Sequence, residues 1–323
     1  MTQSIPHNYP WNHSRPFNSY ANHIRNTFGT RIQKISLHGN FTCPNRDGTK
    51  GYGGCAFCNN DAFITSYCTP EKNIAQQIEE GKKFVHKRYK KATQYFAYFQ
   101  AYSNTYTTIE RLEELIAEIK QFPEIIGCII GTRPDCIDTE KLDFFEKLHK
   151  KNFYVVLEYG VESVYDNTLT LINRGHTFAC SEHAIRETAK RNIPTGAHII
   201  LGLPGETKQH MIESAGIISK LPLTSIKLHQ LQIVTHTRFA REYLQNPTQF
   251  SLFTPDTYIA FVAEYLTYLS PTIMIERLAS ETPRRVRIAP IWEGVKYETF
   301  VQMLEKYMIT NNLWQGKNFI HLQ

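Results

Sequence analysis

The 323-residue sequence has no long hydrophobic run. Nothing in it approaches the roughly 18 uninterrupted apolar residues of a membrane span, so no membrane partner is expected. Its first stretch, MTQSIPHNYPWNHSRPF, is polar and aromatic and lacks the apolar centre of a secretory signal. No internal repeat or low-complexity tract is visible. Cysteine is sparse: there are seven, an odd number, and Cys68, Cys128, Cys136 and Cys180 are scattered singly. Reduced thiols in a cytoplasmic protein are the economical reading of that usage. A strong excess of charge is also missing, the chain being only mildly basic. The net charge of +6 is compatible with an anionic or nucleic-acid partner without requiring one. A hydrophobic content of 41% over this length suffices for a large core, as one α/β barrel-like domain or a core with an appendage.

What the sequence does have is concentrated in residues 36–60, SLHGNFTCPNRDGTKGYGGCAFCNN. Cys43, Cys55 and Cys58 fall there in a C-x11-C-x2-C spacing, among Pro44, Asn45, Asp47 and four glycines. So much Gly, Asn and Asp excludes a regular element and predicts a loop. Thiolates gathered on a loop of a chain without an export signal point to metal before disulfide. Structural zinc normally takes four Cys or His ligands, and this loop offers three. Cubane iron–sulfur clusters also usually take four thiolates, so three would leave one iron open to a ligand. Zinc completed by a distant histidine is the alternative for the loop taken alone.

Three cysteines ending in Cys55-Ala56-Phe57-Cys58, after a first strand, resemble the radical S-adenosylmethionine (SAM) superfamily. The wide first spacing resembles the branch containing the elongator catalytic subunit. The run 41–58 is most similar to the YhcC/YtqA-type bacterial radical SAM proteins. The resemblance implies a partial (β/α)6 TIM-like barrel with a C-terminal α/β extension. It also implies a [4Fe–4S] cluster on Cys43, Cys55 and Cys58, with SAM on the open iron and Phe57 among the cofactor contacts. An external reductant of the flavodoxin or ferredoxin type would supply the electron that cleaves SAM to a 5′-deoxyadenosyl radical.

The rest of the chain alternates strand-like and helix-like segments. Strands are predicted at 31–38, 94–102, 125–132, 153–159, 195–201 and 225–234. Helices are expected from Thr69-Pro70-Glu71 to about residue 91, after a Thr107/Glu110 capping box, and over 139–150, 180–191 and 206–220. Six such units argue for a parallel sheet with right-handed crossovers. Beyond them come a helix near 256–269, a strand-like TIMIERL, the basic PRRVRIAP and a helix from about 296 to 313. The expected division is an irregular arm over 1–30, the core barrel over 31–240 and the extension over 241–323.

In parallel α/β folds chemistry collects at the C-terminal strand ends. After the second strand stand Gln100, Ser103 and Asn104, where the superfamily receives the SAM amino group. The Gly-Gly-Glu typical there is absent, and a capped turn explains Ser and Asn equally well. After the third strand, Gly131-Thr132-Arg133-Pro134-Asp135 resembles a run of the elongator branch. There Arg133 suits the SAM carboxylate, and a surface Arg133–Asp135 turn is the plain alternative. The fourth strand ends an apolar run in Glu158, a carboxylate that needs strong donors if buried. The resemblance makes it a ribose ligand, and a cross-strand ion pair is the alternative. Glu162 and Ser163 are weaker candidates. The fifth strand runs into Gly202-Leu203-Pro204-Gly205, which the resemblance sets beside the adenine.

Gln230 and Gln232 near the sixth strand end could touch substrate, with a solvated strand face as the default reading, and His198 reads as a core histidine. Arg284, Arg285 and Arg287 with Trp292 form the one concentrated basic patch with an aromatic. A solvated face is its default reading and a phosphate or RNA contact the sharper one. The substrate is open between RNA and a small metabolite. Neither the acetyltransferase domain of the elongator subunit nor a second cysteine motif of the methylthiotransferase kind is expected in the 323 residues. The competing function is a zinc- or cluster-binding module that recognises nucleic acid without catalysis.

Overall fold

The computed structural model describes residues 9–60 and 64–320, so the start of the expected N-terminal arm lies outside the described residues. In chain order, α1 (Tyr20–Phe28) leads into β1 (Gln33–Leu37), α2 (Ile74–His86), β2 (Tyr95–Phe99), α3 (Ile109–Lys120) and β3 (Ile125–Thr132). Then come α4 (Thr139–Lys150), β4 (Tyr154–Glu162), α5 (Asp166–Leu171), α6 (Phe178–Lys190), β5 (Thr195–Leu201) and α7 (Lys208–Ile218). The chain closes with β6 (Ser225–Gln230), β7 (Ile233–Val234), α8 (Arg238–Gln245), α9 (Pro255–Tyr268), β8 (Met274–Arg277), β9 (Arg287–Ala289) and α10 (Tyr297–Thr310).

Seven strands form one parallel sheet in the order β1-β2-β3-β4-β5-β6-β8, curled into a partial barrel. Because neighbours in sequence are neighbours in space, four of the first five crossovers carry a single α-helix, and the one between β4 and β5 carries α5 and α6. The outer face buries Ile35, Phe99, Ile130, Leu157, Ala197 and Leu228 against the helices. On α3, Leu112, Leu115, Ile116 and Ile119 recur at helical spacing and all are buried. Its cap is Thr108, one residue later than expected, whose side chain accepts from the Arg111 amide. Helix α2 opens later than Thr69-Pro70 because those residues turn first (Lys72 N to Thr69 O, 3.2 Å), and Asn73 with Gln76 forms the capping box.

Three expectations differ in ways that shape the interior. The described part of the N-terminal arm is irregular only over residues 9–19. Helix α1 packs Tyr20 and Ile24 against Phe96, Tyr98, Ile129, Val156 and Met274, closing the floor of the barrel. The predicted strand 225–234 is broken after Gln230. Ile233 and Val234 turn away to pair antiparallel with β9. The seventh strand, β8, comes from beyond residue 240, so the C-terminal segment completes the same sheet. Among the described residues no helix is long and apolar enough to cross a membrane.

Candidate active site

The loop between β1 and α2 is tied down by its own polar residues. The Asn45 side chain donates to Asn173 O, the Asn173 side chain donates to Gly54 O (3.0 Å), and Gly54 N donates to Asn45 O (2.8 Å). Ala56 is bracketed by Ile172 O and the Phe239 amide, each at 2.9 Å. Sequence-distant segments thus hold the loop over the C-terminal ends of the strands. Cys43, Cys55 and Cys58 all line one cavity there, together with Phe57, Gln100, Ser103, Arg133 and Glu158.

Two of the three sulfurs have polar donors. Arg174 Nη1 lies 3.5 Å and Asn45 Nδ2 3.6 Å from Cys55 Sγ, and Arg46 Nη2 lies 3.6 Å from Cys58 Sγ. Burial and the neighbouring Cys55 push the Cys58 thiol up to about 11, against the pull of Arg46. A metal sharing the Cys58 sulfur would favour its thiolate form.

At the end of β3 the Arg133–Asp135 pair is buried, not on the surface. Arg133 Nε and Nη2 donate to the two carboxylate oxygens at 2.9 and 2.8 Å, and Lys50 of the cysteine loop adds a 2.6 Å contact. Burial alone would raise the Asp135 carboxyl, but Arg133 and Lys50 hold it far below the usual carboxylate range. Arg133 Nη1 is buried without a hydrogen-bond partner among the described residues, as is Ser103 Oγ. Leaving such groups unmet is unfavourable by roughly 1–3 kcal/mol each, so a polar ligand in the cavity would relieve both.

Glu158 sits deeper, 1% exposed, and its ion-pair partners come from strands other than that of Arg133. Lys227 Nζ is 2.5 Å and His198 Nε2 3.0 Å from Oε2, while Lys34 Nζ lies 3.5 Å from Oε1. Lys227 also meets Tyr98 Oη (3.0 Å) and Glu276 (3.1 Å). Burial by itself would raise the Glu158 carboxyl, yet Lys227, Lys34 and His198 together hold it well below the ordinary value. One turn of strand further, Glu162 lines the same cavity with a left-handed backbone (φ 68°) and a looser ion pair to Arg174 (3.7 Å).

A sequence profile of the radical SAM superfamily matches residues 43–217, and one described as the radical SAM C-terminal domain matches 223–309. The chain belongs to the radical SAM superfamily. It is 31% identical over 323 residues to YtqA of Bacillus subtilis, covering 100% of this chain and 98% of that protein. It is 30% identical over 291 residues to YhcC of Escherichia coli, covering 90% and 92% of the two chains. Among solved structures, Elp3 of Methanocaldococcus infernus superposes with a TM-score of 0.62 at 14% identity, covering 88% of this chain and 64% of that one. Methylornithine synthase superposes with a TM-score of 0.53 at 16% identity, covering 88% and 84%. At these identities both show the fold alone, the partial barrel.

As a radical SAM protein the chain uses a [4Fe–4S] cluster and SAM. The donor set fits. Three thiols face one cavity, two of them receive hydrogen bonds, and unmet donors on Arg133 and Ser103 stand beside them. Of the remaining sequence candidates, Phe57 and Gln100 line the cavity, whereas Asn104 and Gly202 do not. Asn104 Nδ2 braces the strand ends, donating to Gly131 O (2.7 Å) and Phe99 O (3.2 Å). Gly202 (φ 89°) faces Phe253, whose ring would stand 3.1 Å from an added Cβ. Gln230 and Gln232 are buried cavity residues rather than a solvated face, their amides joined to Ser280 and Thr282. His198 lines the cavity too, as the partner of Glu158. Arg46, Arg174 and Lys227 were not singled out from the sequence. Each is a lone cation in an ordinary local context, and only folding sets it beside a thiol or a carboxylate.

Proposed function

We propose that Cys43, Cys55 and Cys58 are the ligands of the cluster and that the cavity beside them is the SAM site of a hydrogen-abstracting enzyme. The reading is supported by three thiols and two polar atoms without partners among the described residues, Arg133 Nη1 and Ser103 Oγ, on residues that line one cavity at the strand ends. Bound there, the cluster and SAM supply reductive sulfonium cleavage and a 5′-deoxyadenosyl radical. This chain's residues do the positioning. Asp135 fixes the Arg133 guanidinium so that its free edge is offered to a carboxylate. Gln100 and Ser103 stand as acceptors for an amino group. For the ribose, a carboxylate has about four lone-pair sites. Contacts from Lys227, His198 and Lys34 leave Glu158 room for a hydroxyl, and Glu162 is the less engaged alternative. A flavodoxin- or ferredoxin-type protein is the proposed electron source.

For the substrate, RNA is the reading one observation favours. Arg284, Arg287 and Lys296 flank a groove whose lining shares Ser280 and Thr282 with the central cavity, so an anionic chain docked there would reach the reacting end. Trp292 is not a stacking platform: it is buried, donates Nε1 to Phe253 O (2.9 Å) and stacks on Phe300.

The test is anaerobic reconstitution with iron and sulfide, then dithionite and SAM, with 5′-deoxyadenosine read by mass spectrometry. Near four irons per chain and 5′-deoxyadenosine release are expected, with both lost in Cys58→Ala. Bound zinc, or a cluster without SAM cleavage alongside salt-dependent RNA binding, would favour the non-catalytic module. Iron content in Cys58→Ala equal to wild type would overturn the ligand assignment.

A further inference from the structure

Arg46 has no place in the mechanism above, yet it is built into the cysteine loop with unusual care. It lies three residues after Cys43, and its guanidinium reaches across the loop to the third cysteine. Nη2 donates to Cys58 O at 2.9 Å and lies 3.6 Å from Cys58 Sγ. The guanidinium lies flat against Gly54, the residue before Cys55. An added Cβ there would stand 3.0 Å from Arg46 Cζ, Nε and Nη2 alike. Gly54 has a left-handed backbone (φ 80°), a conformation that favours glycine. Arg46 makes no ion pair with a carboxylate among the described residues, although the chain forms many such pairs elsewhere. Its guanidinium is set instead against the Cys58 sulfur. It also lines the central cavity.

A cation whose counter-charge is a cysteine sulfur acts on whatever those sulfurs hold. Three thiolates make a [4Fe–4S] group anionic, and one-electron reduction adds another unit of negative charge. A fixed positive charge at hydrogen-bond range stabilises the reduced form more than the oxidised one, because the Coulomb term scales with the charge it faces. Hydrogen bonds to the sulfurs act in the same direction. We infer that Arg46 is a positioning residue that raises the reduction potential of the cluster, through its charge and its hydrogen bond on Cys58, bringing it within reach of the external reductant. This inference rests on the proposed ligand assignment. It adds a role for a side chain that is not a cluster ligand.

The test is an EPR-monitored redox titration of the reconstituted full chain without SAM, comparing wild type with Arg46→Gln and Arg46→Lys. Iron and sulfide content are measured on each sample. The midpoint of Arg46→Gln should move to more negative potential at unchanged iron content. Arg46→Lys, which keeps the charge but reaches the sulfur less well, should fall between the two. Should Arg46→Gln fail to hold a cluster, Arg46→Lys still decides the matter, since its midpoint must lie below that of wild type. Wild-type midpoints in iron-replete variants would overturn the role of Arg46 while leaving the ligand assignment intact. A wild-type chain that takes up no cluster would overturn both.

Discussion

Arg133 and Asp135, two residues apart at the end of β3, form a buried two-point pair, Nε to Oδ1 at 2.9 Å and Nη2 to Oδ2 at 2.8 Å. The pair leaves the third guanidinium nitrogen unmet and fixes its direction. A planar guanidinium clamped on one edge presents the other edge to a second carboxylate, which a lysine could not do.

Arg133→Lys should therefore weaken SAM binding to the reconstituted protein by about ten- to a hundredfold, the scale of a charge-assisted hydrogen bond of roughly 1.5–3 kcal/mol. Iron content should be unchanged. Equilibrium dialysis with SAM checks this, and wild-type affinity would remove Arg133 from the site.

Glu158 and Glu162 separate by what each substitution breaks. Glu158→Ala strips Lys227 of its principal counter-charge inside the barrel and should cost about 3–5 kcal/mol of stability in denaturant unfolding. Lys227→Met combined with Glu158→Ala should cost less than the sum of the two single changes. In SAM affinity, a loss in Glu158→Gln with none in Glu162→Gln identifies the ribose acceptor as Glu158. The reverse result hands the role to Glu162.

Acid should unfold the protein through these same carboxylates. Asp135 and Glu158 are both held below their ordinary values in the folded state. Their contribution is fully present above the unfolded carboxylate values of about 4, and is lost as pH falls through and below that range. Stability should decline from about pH 5 downward. Asp135→Asn should be less stable than wild type at neutral pH, with the gap closing toward pH 2. A gap that stays constant with pH would contradict the depressed Asp135.

If RNA docks along the C-terminal groove, the double change Arg284→Gln and Arg287→Gln should weaken RNA binding and lower the salt slope by about one to two units. Filter binding across a salt series measures both. An unchanged slope would leave the groove without a nucleic-acid role.

The cysteine loop, the strand–helix alternation and the parallel sheet were legible in the sequence because each rests on local chemistry. Gly and Asn exclude regular structure around Cys43, Cys55 and Cys58. Apolar spacing repeats through α3, and apolar runs mark β3 and β5 at the bounds expected of them. Asn104 and Gly202 were plausible contacts by position, yet a side chain's direction depends on the turn that carries it. Asn104 turns to brace two carbonyls, and Gly202 lies under Phe253.

Which residue types stand at the strand ends, and which loop carries the thiols, follow from neighbours a few positions apart. Tertiary structure alone decided the partners. It placed Lys227 of β6 beside Glu158 of β4, Arg174 beside Cys55, helix α1 under the barrel floor and β8 in the sheet. Each of these joins residues tens to hundreds of positions apart. Their attraction acts only once the crossovers have closed, and no local pattern of charge or hydropathy encodes which distant partner a lone buried ion will meet.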